Sequence, residues 1–257
     1  MNEIVLLCSL VFLAHAVKGL TGGGSAIVFN ACLLVSLMAG LAGALELKDG
    51  LYFLAGADLV VTLAMAVLLW RELKFEKLTV LYLAGFLPVQ ALFTLVLPKL
   101  ELEWLTLLLA LAVTGAGLWL ALRDEKPPAP RGAMLKLALP LGAVAGTIGG
   151  LFGMAGPVTF LLFTMADSDP GVIRRRVVFF TIAANTSRTA VLASEGVFTT
   201  TRLTWVAWAL PFMLTGMALG MWLHRRVKPR PFRVTLGVLV ALAGLAALAH
   251  FVVKHWL

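Results

Sequence analysis

The chain has 257 residues, 61% of them hydrophobic and only 13% charged, with a mean hydropathy of +0.98. Soluble domains are about 45–50% apolar and about 25% charged, so this composition excludes a soluble domain and fits an integral membrane protein surrounded by lipid bilayer. The net charge of +8 is gathered in short loops between apolar stretches, a positive-inside bias rather than a nucleic-acid surface, and no nucleic-acid partner is expected.

Taking charges, prolines and glycines as boundaries predicts ten apolar segments, at about 4–20, 25–42, 50–70, 78–97, 102–122, 134–150, 157–166, 177–194, 204–223 and 232–253. The opening "MNEIVLLCSLVFLAHA" imitates a signal peptide down to its A-x-A ending, but it has no basic start and runs straight into a glycine motif. It reads as a retained first helix. Cys8 and Cys32 lie in apolar runs without metal-ligand spacing and read as small core residues. Trp70, Trp104, Trp119, Trp205, Trp222 and Trp256 fall near segment ends, where amphipathic rings favour the interface.

The most polar break is "RDEKPPAPRG", Arg123–Gly132, with three prolines and mixed charge. It divides the chain into a first membrane repeat (1–122), a polar cytoplasmic linker (123–133) and a second membrane repeat (134–257). Basic clusters at Arg71–Lys77, Arg123–Lys136, Arg174–Arg176 and Arg225–Arg233 mark the cytoplasmic side. The loops Lys99–Glu103 and Ser194–Arg202 are poor in Lys and Arg and mark the other. On that assignment the first half begins outside and the second inside, as in an inverted-topology repeat. A constant offset of 131 residues pairs Gly19 with Gly150, Leu20 with Leu151, Gly22 with Gly153, Gly85 with Gly216 and Pro98 with Pro229. The expected fold is therefore an all-α polytopic membrane protein of two inverted repeats, each a glycine-turn helical hairpin followed by three transmembrane helices.

Two glycine-rich turns interrupt the apolar pattern: "HAVKGLTGGGSAIVF", His15–Phe29, and "GTIGGLFGMAGPVTFLLF", Gly146–Phe163. Irregular backbone at membrane depth survives only where protein or a watery cavity meets it. The short segments 134–150 and 157–166 suggest hairpins whose tips approach the protein centre. At each tip a new helix begins, near Ser25 and near Pro157. Its first amides have no intrahelical partner and carry the positive end of the dipole. Gly22, Gly23, Gly24, Gly153 and Gly156 would let a ligand approach that backbone, and Pro157 suits a first helical position. Two such helix starts make an anion site, with Thr21 and Ser25 adding hydroxyl donors. The alternative is close helix packing through small residues.

The two stretches "KGLTGGGSAIVF" and "GGLFGMAGPVTFLLF", each opening a membrane half with a polar linker between, resemble the TauE/SafE family of sulfite and organosulfonate exporters. The likeness spans the chain in length and layout and is motif-specific around the two turns. The first turn departs from the pattern at Asn30, near an expected proline, and "GMAGP" is a reduced glycine cluster. The resemblance implies transport of small sulfur-containing and related organic anions across the bacterial inner membrane. No cofactor is expected.

A charge within a span costs at least about 2.5–3.5 kcal/mol on insertion scales and so marks a functional candidate. Lys18, beside the first turn, would hold an anion as a point charge, or snorkel to an interface. In "FFTIAANTSRTAVL", Thr181, Asn185 and Arg188 share a helix face, and with Thr186 they offer a guanidinium fork, an amide and hydroxyls to a sulfonate or carboxylate. The alternative is a hydrogen-bond network between helices. Asp58 shares a face with Thr62 and corresponds to Thr189 under the offset; it reads as a counter-ion to Arg188 or a proton carrier. His15 lies one turn before Lys18 and reads as a coupling group or a packed histidine. Asn30 and Gln90 line a cavity or satisfy helix contacts.

These readings converge on a transporter of small organic or sulfur-containing anions, the anion bound between the two helix starts and exposed to either side in turn. A passive anion channel and an uptake carrier for a carboxylate are the alternatives. A membrane enzyme would need an H-E-x-x-H, a nucleophile elbow or clustered metal ligands, none of which the sequence contains. A purely structural scaffold would not retain charges within its spans. Small residues on outward faces would allow a homodimer.

Overall fold

A computed structural model describes residues 3–21, 24–69, 76–122, 131–224, 226 and 229–256. These form helices α1 (Glu3–Thr21), α2 (Ser25–Met38), α3 (Leu47–Leu69), α4 (Lys77–Val96), α5 (Leu102–Leu122), α6 (Arg131–Phe152), α7 (Gly156–Ala166), α8 (Pro170–Ser194), α9 (Thr200–His224) and α10 (Pro229–Trp256). A 3₁₀ turn at Leu97–Lys99 extends α4, and there is no strand among the described residues. The cytoplasmic linker expected at 123–133 lies mostly outside the described residues.

Helix boundaries follow local chemistry. The loop before α8 is built by two aspartates: Asp167 accepts from the Asp169 amide at 3.1 Å and Asp169 from the Gly171 amide at 2.8 Å. With Asp169 as cap and Pro170 in the first turn, α8 starts seven residues before the expected 177 and carries Arg174–Arg176 inside the helix. Conversely α2 ends at Met38 rather than 42, because Gly40 and Gly43 take left-handed φ of 67° and 63° and unwind the chain.

Seven of these helices, α1, α4, α5, α6, α8, α9 and α10, are long and apolar enough to cross a membrane. Their outward faces stay apolar: Leu122 is 75% and Leu239 60% exposed, surface that water would not tolerate on this scale. The chain is a multi-pass membrane protein. Helices α2 and α7, at 14 and 11 residues, reach about 21 and 16 Å, short of the ~30 Å hydrocarbon core.

The helices gather into two compact units that interleave the sequence halves. One comprises Met1–Leu54, Leu100–Arg123 and Thr199–Leu257; the other comprises Ala55–Lys99 and Asp124–Phe198. In the first, α1 packs along α9 and α5 along α10, with α2 against α10 and α5. The seams are made of small residues. A side-chain carbon at Gly216 or Gly220 would collide with the carbonyl oxygens of Phe12 or Ala16, and one at Gly117 or Gly237 with the amides of Ala241 or Ala121. In the second unit α4 packs along α6, with α8 against α4 and α7. Gly142, Gly146 and Gly150 repeat every fourth residue, and a side-chain carbon at each would meet the α4 backbone at Tyr82, Phe86 and Gln90. This is the small-xxx-small mode of membrane helix packing. A cluster of Tyr82, Phe86, Phe163 and Phe180 fills the space between α4, α7 and α8, with ring centroids 4.7–6.2 Å apart. The pairings are reciprocal: the first helix of each sequence half lies along the fourth helix of the other.

Candidate functional site

In the second unit the chain breaks between α6 and α7. The Gly153 amide still bonds the Gly149 carbonyl at 2.9 Å, and Gly153 then takes φ 72°, a left-handed turn that a side chain would strain. Helix α7 begins two residues after Met154, at Gly156, with a proline in its first turn and no side-chain cap. Its first backbone bond runs from the Thr159 amide to the Ala155 carbonyl at 3.1 Å. Thr159 Oγ1 donates to the same carbonyl at 2.8 Å and shares a 2.9 Å bond with the Tyr82 hydroxyl, which fixes this first turn to α4. A side-chain carbon at Gly156 would meet nothing within 4 Å.

The closing end of α6 is treated differently. Arg188, only 3% exposed, donates from Nε to the Gly150 carbonyl and from Nη2 to the Leu151 carbonyl, both at 3.3 Å. Thr94 Oγ1 donates to the Gly150 carbonyl as well, at 3.3 Å. These carbonyls belong to the last turn of α6, where orphan acceptors carry the negative end of the helix dipole. At a helix break this end opposes the positive end of the next helix. Arg188 covers these carbonyls with a cation, which offsets the negative end of the α6 dipole beside the uncapped start of α7.

Arg188, which the sequence offers as a ligand or as the partner of Asp58, thus donates to backbone from two of its nitrogens. One turn earlier Asn185 Nδ2 donates to Thr62 Oγ1 at 2.8 Å and to the Asp58 carbonyl at 3.4 Å, and Thr189 Oγ1 donates to the Ala55 carbonyl at 3.2 Å. Helices α3 and α8 therefore meet through a polar seam. Asp58 is buried and Thr186 is exposed. Thr181 donates to Val177 on its own helix at 2.7 Å. Gln90 donates to the Ala184 carbonyl at 3.0 Å, the helix contact that is one of its two readings.

In the first unit, α2 begins after Gly24, whose φ is 86°, again with no side-chain cap. A side-chain carbon at Gly24 would also meet nothing within 4 Å, whereas one at Gly19 would strike the Met217 carbonyl. Among the described glycines of these hairpins, Gly19, Gly146 and Gly150 thus stand against neighbouring backbone, whereas Gly24 and Gly156 face open space at the helix starts. Ser25 and Asn30 are buried, His15 is fully buried with Nδ1 2.9 Å from the Val11 carbonyl, and Lys18 is half-buried. Gly22, Gly23 and the side chain of Thr21 lie outside the described residues.

Sequence reasoning misses Thr94, Tyr82 and Thr159 as parts of the α6–α7 break. Close packing through small residues, the alternative reading of this stretch, is what Gly146 and Gly150 do against α4, and sequence reasoning leaves out Gly142, four residues earlier in the same row. Among the described residues no three His, Cys, Asp or Glu side chains gather as metal ligands. Residues 7–247 match the family model described as Sulfite exporter TauE/SafE. No curated protein and no solved structure matches the chain.

Proposed function

The chain belongs to the TauE/SafE sulfite exporter family, and on that premise we propose that it exports small sulfur-containing anions, sulfite and organosulfonates first, across the bacterial inner membrane by alternating access. The observation that carries this reading is the α6–α7 break: a short helix starts without a side-chain cap, its first glycine faces open space, and a buried arginine masks the opposing carbonyls. Gly153 and Gly156 give the anion access to backbone, and Val158 and Gly156 offer amides. The α2 start supplies an equivalent set from Gly24 and Ser25, with Lys18 as a point charge near the turn. Asn185 and Thr186 line the approach, and Asp58 and His15 serve coupling or charge balance. The reciprocal pairing of α1 with α9 and α4 with α6 supports the inverted repeat that such a mechanism uses.

The test is sulfite flux in proteoliposomes. The proposal expects saturable efflux that external sulfite accelerates by counterflow, and competition by organosulfonates. Flux that rises linearly with concentration and shows no counterflow would replace the carrier with a channel.

A further inference from the structure

The run Arg174–Arg176 reads from sequence as a topology signal, but Arg176 is buried, at 7% exposure. Its Nε lies 2.7 Å from Glu76 Oε2 and its Nη2 3.4 Å from Asp167 Oδ2. Glu76 is the residue before α4, and Asp167 is the residue that ends α7. One guanidinium therefore ties three elements: the start of α4, the end of α7 and the second turn of α8.

From Arg176, α8 continues in steps of four residues, each engaged. Phe180 packs on Tyr82 and Phe86 at 5.3 and 4.7 Å. The Ala184 carbonyl accepts from Gln90. Arg188 caps the end of α6. Twelve residues of helix span about 18 Å. The 11 residues of α7 span about 16 Å. Thus α8 holds the short helix at both ends, by Asp167 where α7 stops and by the α6 carbonyls where the break precedes its start.

We propose that Arg176 is a positioning residue for transport: through Asp167 it fixes α7 along its axis and so sets where the α7 amides stand, a full helix length away from the charge itself. A helix this short, far below the length that is stable alone, has no other means of holding its register than its neighbours. The inference rests on the anion-site reading for its functional consequence, but the clamp itself does not.

The experiment has two arms. In the first, Gly156→Cys in a Cys8→Ser, Cys32→Ser background reports the α7 start through its rate of labelling by a small methanethiosulfonate. Arg176→Gln and Asp167→Asn should each raise that rate about fivefold or more, and rates within twofold of the parent overturn the clamp. In the second arm, with Gly156 intact, sulfite KM and apparent Tm are compared in Asp167→Asn and Glu76→Gln. A positioning role makes KM follow the tie to α7: Asp167→Asn raises KM about tenfold with kcat within threefold, while Glu76→Gln, which loses the shorter ion pair, lowers Tm more and KM less. KM and Tm changing in the same order reduces Arg176 to a stabilising contact. Arg176→Lys, which keeps the charge but cannot fork, should fall between the parent and Arg176→Gln in both arms. If Arg176→Gln does not fold, Asp167→Asn alone decides, since it removes the longer, partly exposed pair. Faster labelling in Asp167→Asn together with a sulfite KM unchanged in the protein with Gly156 intact would uphold the clamp and remove the anion site at the α7 start.

Discussion

Arg188→Gln separates two roles that a buried intramembrane arginine can have. The guanidinium makes two charge-assisted bonds to the Gly150 and Leu151 carbonyls. Such bonds contribute about 1.5–3 kcal/mol each. At 3.3 Å both are longer than the usual optimum near 2.9 Å, so the lower figure applies, about 3 kcal/mol for the pair. Gly150 keeps its bond from Thr94, and Leu151 is the carbonyl that loses its arginine donor. For a chain of this size each kcal/mol moves Tm by about 2–4 °C, which gives a fall of about 6–12 °C. Arg188→Lys retains the charge but cannot reach both carbonyls as a fork, and should lose about half as much. The assay is tryptophan fluorescence of purified protein in detergent, heated at one fixed scan rate because such unfolding is irreversible. A Tm within about 2 °C of the parent, roughly under 1 kcal/mol, together with a large loss of sulfite affinity, would refute the capping role and return Arg188 to direct ligand binding.

Gly142→Val drives a branched side chain into the Tyr82 carbonyl. Overpacking costs typically about 1–3 kcal/mol even where side chains can yield, so α4 and α6 should separate and the monodisperse peak on size exclusion should be lost. Gly132→Val, which meets open space, should elute normally and serves as the control. Asp49→Asn removes the ion pair with Arg202, whose guanidinium also lies 4.9 Å from the Tyr52 ring centre. Partly exposed pairs contribute up to about 1 kcal/mol, so Tm should fall by about 2–4 °C, and by less in high salt.

The helices are legible because lipid imposes apolar runs of fixed length, and charges or glycines end them. Segment 102–122 coincides with α5, and the expected start of α7 is one residue from its observed place. The start of α8 is misread because Arg174–Arg176 looks like a loop by charge, while the signal that governs it is the Asp169-Pro170 cap. The turns at Gly24 and Gly153 are visible as glycine clusters, but sequence cannot sort packed glycines from open ones. Gly150 and Gly156 differ in what stands opposite, and for Gly150 that is the α4 backbone at Gln90 and Thr94, distant in sequence. Arg188 stands out as a buried charge because such residues are rare in spans. Its partners do not, because backbone carbonyls have no letter in the sequence. Arg176 is hidden for the opposite reason, since basic residues at a helix end are what the positive-inside rule already leads one to expect.

The most direct test of the anion site is sulfite titration of the purified protein beside its Gly156→Ala variant. The added methyl meets nothing within 4 Å, and alanine is the better helix former by up to about 1 kcal/mol, so Tm should hold or rise. If the anion lies against the α7 backbone, sulfite affinity should fall about tenfold, roughly 1.4 kcal/mol. Saturable binding that the methyl leaves unchanged, or no saturable binding in the parent protein, would contradict an anion site at the start of α7.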